Sequence, residues 1–381
     1  MISWMLGKLR GAPPPAGRHF PGRPGSGHLV VFTEHFNATY FISFEIPLER
    51  LRAQGRAGFS AYAQNDVQAA APGDWRQWIQ RQRPRAVVLT RYGRPDGVEI
   101  AAFCRAQGIP VIYHIDDDLL ELPDSLGADV VKRHAGSETV QARRQMLAGC
   151  DLVYASTPVL AGVLQQRFPA QRIVHGIYAP YLDVPATPLH DPRAVTIGYM
   201  GSRGPQEDLE LVVPALVRLM QERPTLRFET FGTIAMPPQL AVFGDRVRHH
   251  SVQKSYREFL QTLAGLGWRL GLAPLVDAPF NRCKAPTKFI EYSGCGIATA
   301  ASAVGVYETA MPAGGGRMVR DDWHGAIAAM LDDEAATRAC LEAARKHCAT
   351  AFSEDVLARQ VEWVLEQAAA PKQAPQVAAI G

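Results

Sequence analysis

Apolar positions along the chain gather into short unbroken runs, separated at fairly even distances by stretches of helical spacing. HLVVFTE (28–34), GFSAYAQ (58–64), AVVLTRY (86–92), IPVIYHID (109–116), DLVYAST (151–157) and RIVHGIY (172–178) share this form. Continuous rather than alternating runs mark strands that are covered on both faces of a sheet. Between them, IPLERLRAQG (46–55), DWRQWIQRQRP (74–84), EIAAFCRAQG (99–108) and residues 138–149 read as helices. Strands alternating with helices of about ten residues predict βαβ units and a mostly parallel sheet.

The pattern breaks at PYLDVPATPLHDPR (180–193), which has four prolines and no periodicity, and then starts again. VTIGYMGS (195–202), LRFETFGT (226–233), RVRHHSV (246–252), WRLGLAPL (268–275) and IATAAS (297–302) read as strands. Residues 208–224, 256–267 and 287–293 read as helices between them, and helices near 322–331, 334–349 and 353–369 close the chain. The expected fold is α/β, with two Rossmann-like domains and a cleft between them. Its expected parts are an N-terminal extension and linker (1–27), a first Rossmann-like domain (28–190), a second Rossmann-like domain (191–350) and a C-terminal helix with an unstructured tail (351–381).

Composition narrows the function without naming it. The chain has 381 residues, 47% of them hydrophobic and 20% charged, enough for two packed cores. Forty basic against 37 acidic residues leave a net charge of +3, so no global basic field points to nucleic acid. Six scattered cysteines form no C-x-x-C pair, which suits a reducing cytoplasm better than a disulfide or zinc framework. No apolar run approaches the roughly 20 residues of a membrane span. In MISWMLGKLR (1–10), Ile2, Met5, Leu6 and Leu9 fall at helical spacing, so peripheral contact at the inner face of a membrane is an expectation, against a frayed terminus or a helix packed on the body.

Three stretches carry candidate chemistry. In LAPLVDAPFNRCKAPTKFIEYSGCGIATAASAVGVYE (272–308), a loop holding Asn281, Arg282 and Lys284 leads into a short helix after Pro286, with Thr287 expected as its cap. Lys288 lies in the first turn and Glu291 three residues on, so the helix start can attract phosphate while the carboxylate receives a ribose diol. The alternative is a surface Lys288–Glu291 ion pair. In IGYMGSRGPQEDLELVVPAL (197–216), a strand–glycine turn–helix layout makes Gly201, Ser202 and Arg203 phosphate candidates, while Asp208 reads as a helix-start residue.

In PVIYHIDDDLLELP (110–123), three aspartates close a strand where ligands gather in doubly wound sheets. Asp116 and Asp117 are the catalytic candidates, as an acid, a base or partners of sugar hydroxyls. Asp116 to Asp118 also has the spacing of an oxygen-ligand metal site, and a capped helix start running into LLEL is the structural reading. His114, His175 and Arg91 are lesser candidates, and His249–His250 reads as surface. No G-x-S-x-G elbow, P-loop or clear G-x-G-x-x-G is present, which weighs against a hydrolase, a kinase or a dehydrogenase.

The 272–308 stretch resembles the donor-site region of GT-B glycosyltransferases, the family 4-like group that includes bacterial polysaccharide-building enzymes. Many of those enzymes read as apolar–P–N–x–x–K, a few residues, K-F-x-E-Y, a glycine turn, then a short strand and a V-G-x-Y-E-like loop. Residues 197–203 resemble the G-x-x-G-S loop of the same enzymes, and the strand entering D-D-D-L resembles another of their signatures. The resemblance implies a nucleoside-diphosphate sugar as co-substrate and a glycan or lipid-linked acceptor, with no metal or other cofactor. It further implies ribose binding by Glu291, with diphosphate contacts near Lys284, Lys288 and Arg203. Where many relatives carry the first glutamate of an E-x7-E pattern, this chain has Cys283. That departure suggests one alternative, a module that binds glycan or nucleotide without turnover, and a sugar-nucleotide epimerase of the same fold is another.

Overall fold

The computed structural model describes residues 17–127, 131–132, 136–185, 195–202, 206–251, 255–371 and 377–379. Residues 1–10, expected at a membrane, and Arg203 lie outside the described residues, as does most of the proline-rich stretch 180–193.

Two sheets organise the described residues. The first has eight strands in the order β1-β3-β2-β4-β5-β6-β7-β14. These are β1 (Arg18–Phe20), β2 (Gly27–Thr33), β3 (Ala57–Ala63), β4 (Ala86–Thr90), β5 (Val111–Ile115), β6 (Leu152–Ala155), β7 (Ile173–His175) and β14 (Val377–Ala379). All pair in parallel except β1, which runs antiparallel to β3. The second sheet is entirely parallel, in the order β10-β9-β8-β11-β12-β13. Its strands are β8 (Thr196–Gly201), β9 (Arg227–Gly232), β10 (Val247–Ser251), β11 (Leu270–Ala273), β12 (Ala298–Ser302) and β13 (Arg317–Val319).

The unbroken apolar runs bury both faces of each sheet, as their composition requires. Along β2, Val30 and Phe32 enter one core while Leu29 and Val31 enter another. Along β8, Ile197 and Tyr199 face one core and Met200 the opposite one.

Several local expectations are corrected. Residues 18–20, inside the stretch read as irregular linker, form edge strand β1, and Phe20 stacks on Phe59 at 4.3 Å between ring centroids. The helix read from residue 46 is preceded by helical turns from Ala38, because the Asn37 side chain accepts from the Tyr40 N–H at 3.2 Å and caps the start. No helix begins at Asp116–Leu120; those residues turn, and the next helical piece is a single 3-10 turn at Asp124–Leu126. The tail expected to lack structure contributes β14, which pairs in parallel with β7.

The closing helix, Glu354–Ala369, returns to the first sheet, where Ala358, Val361, Val364 and Leu365 pack with Leu29 and Val31. Its buried Gln360 accepts from the Ile177 N–H at 2.8 Å and donates to the Ile177 carbonyl at 2.7 Å and to the Tyr154 hydroxyl. Among the described residues, no helix is long and apolar enough to cross a membrane.

Candidate active site between the two sheets

Strand register lines up one set of charges. Thr33 of β2 lies opposite Thr90 of β4, and Thr90 opposite His114 of β5. The residues just beyond these strands, Glu34, Arg91 and Asp116, therefore meet at the carboxyl edge of the first sheet, where doubly wound folds bind ligands.

Arg91 has φ +52°, a left-handed conformation that costs a non-glycine residue about 1–2 kcal/mol. The turn swings its guanidinium back across the strand ends. Nη1 donates to both oxygens of Asp116, at 2.9 and 3.0 Å, and Nε donates to Glu34 at 3.2 Å. The Arg91 N–H donates to the His114 carbonyl at 3.0 Å, and its own carbonyl accepts from Arg143 Nη2 at 3.3 Å. Arg143, itself 1% exposed, lies 3.6 Å from Glu34. Burial works against Arg91's charge, but Asp116, Glu34 and Asp117 outweigh it and hold the guanidinium firmly protonated.

Asp116 and Asp117 fall in different surroundings. Asp116 is 7% exposed and also accepts from Thr39 Oγ1 at 2.8 Å and the Tyr178 hydroxyl at 3.0 Å. Burial favours its neutral form, yet Arg91 above all holds its carboxyl below the usual range. The Asp117 side chain is 30% exposed and stands 3.6 Å from Arg91 Nη1. Burial, then the Asp116 charge, push it up to about 6, against Arg91 and Lys284. Asp118 turns away to Arg167, at 2.6 and 2.9 Å. The two carboxylates of the D-x-D spacing thus face different arginines, and among the described residues no group of three or more His, Cys, Asp or Glu is placed to hold a metal ion.

His114 is a core residue. Its Nδ1 meets Thr90 Oγ1 at 2.8 Å, Phe44 and Tyr154 pack on its ring, and burial lowers its pKa to about 4. His175 ends β7 half-buried, and burial lowers its pKa too. His249 and His250 lie on edge strand β10, against Thr230 and Glu229.

The second sheet contributes the helix Thr287–Gly294. Its cap position is Pro286, with no side-chain hydrogen bond, and Thr287 is the first helical residue rather than the cap. The first-turn N–H groups therefore have no capping side chain. Lys288 Nζ lies 5.3 Å over the Tyr199 ring, and no carboxylate among the described residues is within ion-pair distance of it. Burial, then the Lys284 charge, bring Lys288 down to about 8, against Asp208 and Glu291. One turn on, Glu291 is 8% exposed and accepts from the Tyr256 hydroxyl at 2.7 Å. Burial pushes it up to about 7, against that hydrogen bond and the Lys288 charge. The surface ion pair considered for these two residues does not form.

The remaining candidates divide. Asn281 Nδ2 donates to Asp208 at 3.1 Å and to the Val276 carbonyl at 3.0 Å, so this amide braces its own loop. Asp208, read as a helix-start residue, is 2% exposed and also accepts from the Val276 N–H at 2.8 Å. Lys284 Nζ stands 3.7 Å from it. Gly201 ends β8 and its carbonyl accepts from Thr233 and Ile234 N–H groups at 3.0 and 3.2 Å. Gly232, at φ +125°, allows that approach, since a Cβ there would sit 2.1 Å from the Gly201 oxygen. Ser202 is exposed beside it. Cys283 is 2% exposed, and burial first, then the Asp118 and Asp117 charges, push its thiol up to about 11, so a glutamate here would add a further negative charge to a crowded place. Glu34, Thr39, Arg143, Tyr178 and Tyr256 had no local sequence signal; only the rule that charges directly after strand ends face the cleft could have raised Glu34.

No protein-family model matches the chain, and no curated protein sequence matches it. Solved structures do. Anabaena HepE in complex with UDP-glucose superposes with a TM-score of 0.62 at 13% identity, over 89% of this chain and 99% of that one. A glycosyltransferase from Rickettsia africae gives a TM-score of 0.63 at 13% identity, over 90% and 99%. Sucrose-phosphate synthase from Thermosynechococcus elongatus gives 0.62 at 14% identity, over 90% and 98%. The chain has the GT-B glycosyltransferase fold, with two Rossmann-like α/β sheets.

Proposed function

We propose that this GT-B-fold chain transfers a glycosyl group from a nucleoside-diphosphate sugar to a hydroxyl of a glycan or lipid-linked acceptor, in building a surface polysaccharide or glycoconjugate. The observation that carries the reading is the half-buried Lys288 ammonium, set at an uncapped helix start without a carboxylate partner. Such a place favours an anion with several oxygens. Glu291, one turn deeper, has one oxygen engaged by Tyr256 and the other available to a ribose diol.

Lys284, Lys288, Arg203 and the 201–203 amides then hold the diphosphate, with Asn281 bracing the loop. As the glycosidic bond breaks, negative charge grows on the leaving diphosphate, and preformed positive groups lower that barrier. In this reading they serve in place of a metal, and transfer is expected to survive EDTA. On the acceptor side, Asp117 is the group able to exchange a proton with a hydroxyl, because Asp116 is committed to Arg91, Thr39 and Tyr178. Residues 28–190 serve the acceptor and 191–350 the donor, and closure between them excludes water.

HepE, solved with UDP-glucose, suggests the first probe. Glu291→Ala should weaken UDP binding by at least about tenfold, the loss of a charged contact of roughly 1.5–3 kcal/mol. Unchanged affinity in a calorimetric titration would remove the ribose assignment. Release of sugar from UDP-glucose without acceptor separates an enzyme from a module that binds without turnover, which should show none.

A further inference from the structure

Strand β8 buries a hydroxyl that the fold leaves without a partner. Tyr199 points with Ile197 into the core of the second half and is 0% exposed. The neighbouring tyrosines are satisfied: the Tyr292 hydroxyl accepts from the Met200 N–H at 3.0 Å and donates to the Leu272 carbonyl at 3.1 Å, and Tyr256 donates to Glu291. The Tyr199 hydroxyl has no hydrogen-bond partner among the described residues. A buried donor without an acceptor lowers stability, so its place is informative. Unlike the unpartnered hydroxyls of Tyr40 and Tyr92, which lie in the first half, it stands among the donor-site candidates.

Tyr199 lies two residues before β8 ends at Gly201, at the carboxyl edge of the second sheet. A Cβ on Gly201 would sit 2.9 Å from Tyr199 Cε1 and 3.3 Å from its hydroxyl oxygen. Only a glycine lets the ring lie so close beneath this turn, and the missing side chain makes it the thinnest part of the hydroxyl's cover. Over the ring face stands Lys288 Nζ, at 5.3 Å from the centroid. Lys288 belongs to the first turn of the helix Thr287–Gly294, whose N–H groups have no capping side chain. Asp208 does not take the hydroxyl, because it accepts from the Val276 N–H and from Asn281 Nδ2. Burial, then the Asp208 charge, hold the phenol well above the usual tyrosine range, so it stays a donor. An ammonium, free helix-start N–H groups and a buried hydroxyl are thus all donors gathered around one ring.

We propose that Tyr199 is a further donor-binding residue, whose buried hydroxyl, unpartnered beneath Gly201, donates a hydrogen bond to the donor diphosphate. The inference rests on the glycosyltransfer reading. In the empty site the ring carries the Lys288 ammonium on its face. When the diphosphate arrives, the ammonium leaves the ring for the phosphate oxygens, and the hydroxyl gains the acceptor that the fold withholds from it. No covalent bond changes and no proton is lost. A hydroxyl held rigid and dry in this way gives a directed bond to an oxyanion at little cost in ordering.

The test is Tyr199→Phe in the whole chain, read by calorimetric titration with the nucleoside diphosphate that wild type binds most tightly among UDP, GDP and dTDP, and by melting of the free protein. Tyr199→Phe should bind about tenfold more weakly, the loss of one hydrogen bond to a charged group. Its free form should melt no lower than wild type, since phenylalanine keeps the ring and removes only the unpartnered hydroxyl. The same factor should be lost in the Glu291→Ala background, because diphosphate and ribose contacts are separate. Unchanged affinity overturns the assignment and leaves the donor reading intact. A loss of affinity with a lowered melting temperature would make the hydroxyl structural, and a loss that vanishes in Glu291→Ala would place its action on the ribose; either result overturns the diphosphate contact. Failure of the wild type to bind UDP, GDP or dTDP overturns both this contact and the donor reading.

Discussion

At the ends of β2, β4 and β5, charge meets charge: Arg91 holds Asp116 at 2.9 Å and Glu34 at 3.2 Å, and nearby Arg167 holds Asp118 at 2.6 Å. At the helix Thr287–Gly294, by contrast, the Lys288 ammonium rests on a phenol ring and the Glu291 carboxyl on a phenol hydroxyl. The first cluster pairs most of its charges internally, as suits the uncharged sugar hydroxyl proposed for it. The second holds an ammonium and a carboxyl that no ion pair among the described residues offsets, as suits the anionic ligand proposed for it. One site is built by internal pairing and the other by its absence.

Breaking the paired side should have the largest effect. Arg91→Met leaves Asp116 buried without its guanidinium and removes one partner of Glu34, and should destabilise the chain by about 3–5 kcal/mol, read in urea unfolding. A loss below about 1 kcal/mol would mean that the pairing matters little.

The unpaired side should behave oppositely. Lys288→Met removes a desolvated ammonium and should raise the stability of the free protein at pH 7 by about 1–2 kcal/mol. The sign follows from titration: with Lys288 down to about 8 from 10.5, the unfolded chain binds a proton in that interval which the folded chain does not. Wild-type stability therefore carries a component that rises with pH between those values, and Lys288→Met should lack it. Melting curves across pH check both statements, and a destabilised Lys288→Met would assign the lysine a structural partner.

The smallest expected effect sharpens the contrast. Tyr256→Phe deletes a hydrogen bond that supports ionised Glu291, so its carboxyl should titrate still higher and UDP binding at pH 7 should weaken about threefold. Because the loss comes from protonation, affinity should recover as pH rises. A deficit independent of pH would place Tyr256 in contact with the nucleotide instead.

How far the sequence carries this contrast differs between the two sides. The unbroken apolar runs made the parallel sheets legible, since only strands covered on both faces are apolar throughout. The helix with Lys288 and Glu291 was legible as well, because its groups lie within four residues of one another and the helix repeat alone places them. The paired cluster was not. Glu34, Arg91, Asp116 and Arg143 come from four separate segments, and only strand register and helix packing bring them together. Nothing near Asp116 and Asp117 foretells which is sequestered, since that depends on Thr39 and Tyr178. Strand β1 escaped for a similar reason: a short edge strand beside prolines and glycines owes its form to β3 rather than to its own pattern.

The central claim, that the second half keeps an unpaired cation for a nucleotide diphosphate, is tested most directly by thermal shift of wild type and Lys288→Met against UDP, GDP, dTDP, CMP and their sugar conjugates, with and without EDTA. A ligand at 100 times its dissociation constant adds about 2.7 kcal/mol of stability, well within what a melting curve resolves. One diphosphate family should stabilise the wild type regardless of EDTA, and Lys288→Met, though more stable when free, should lose most of that shift. Equal stabilisation of both proteins, or of neither by any nucleotide, would contradict it.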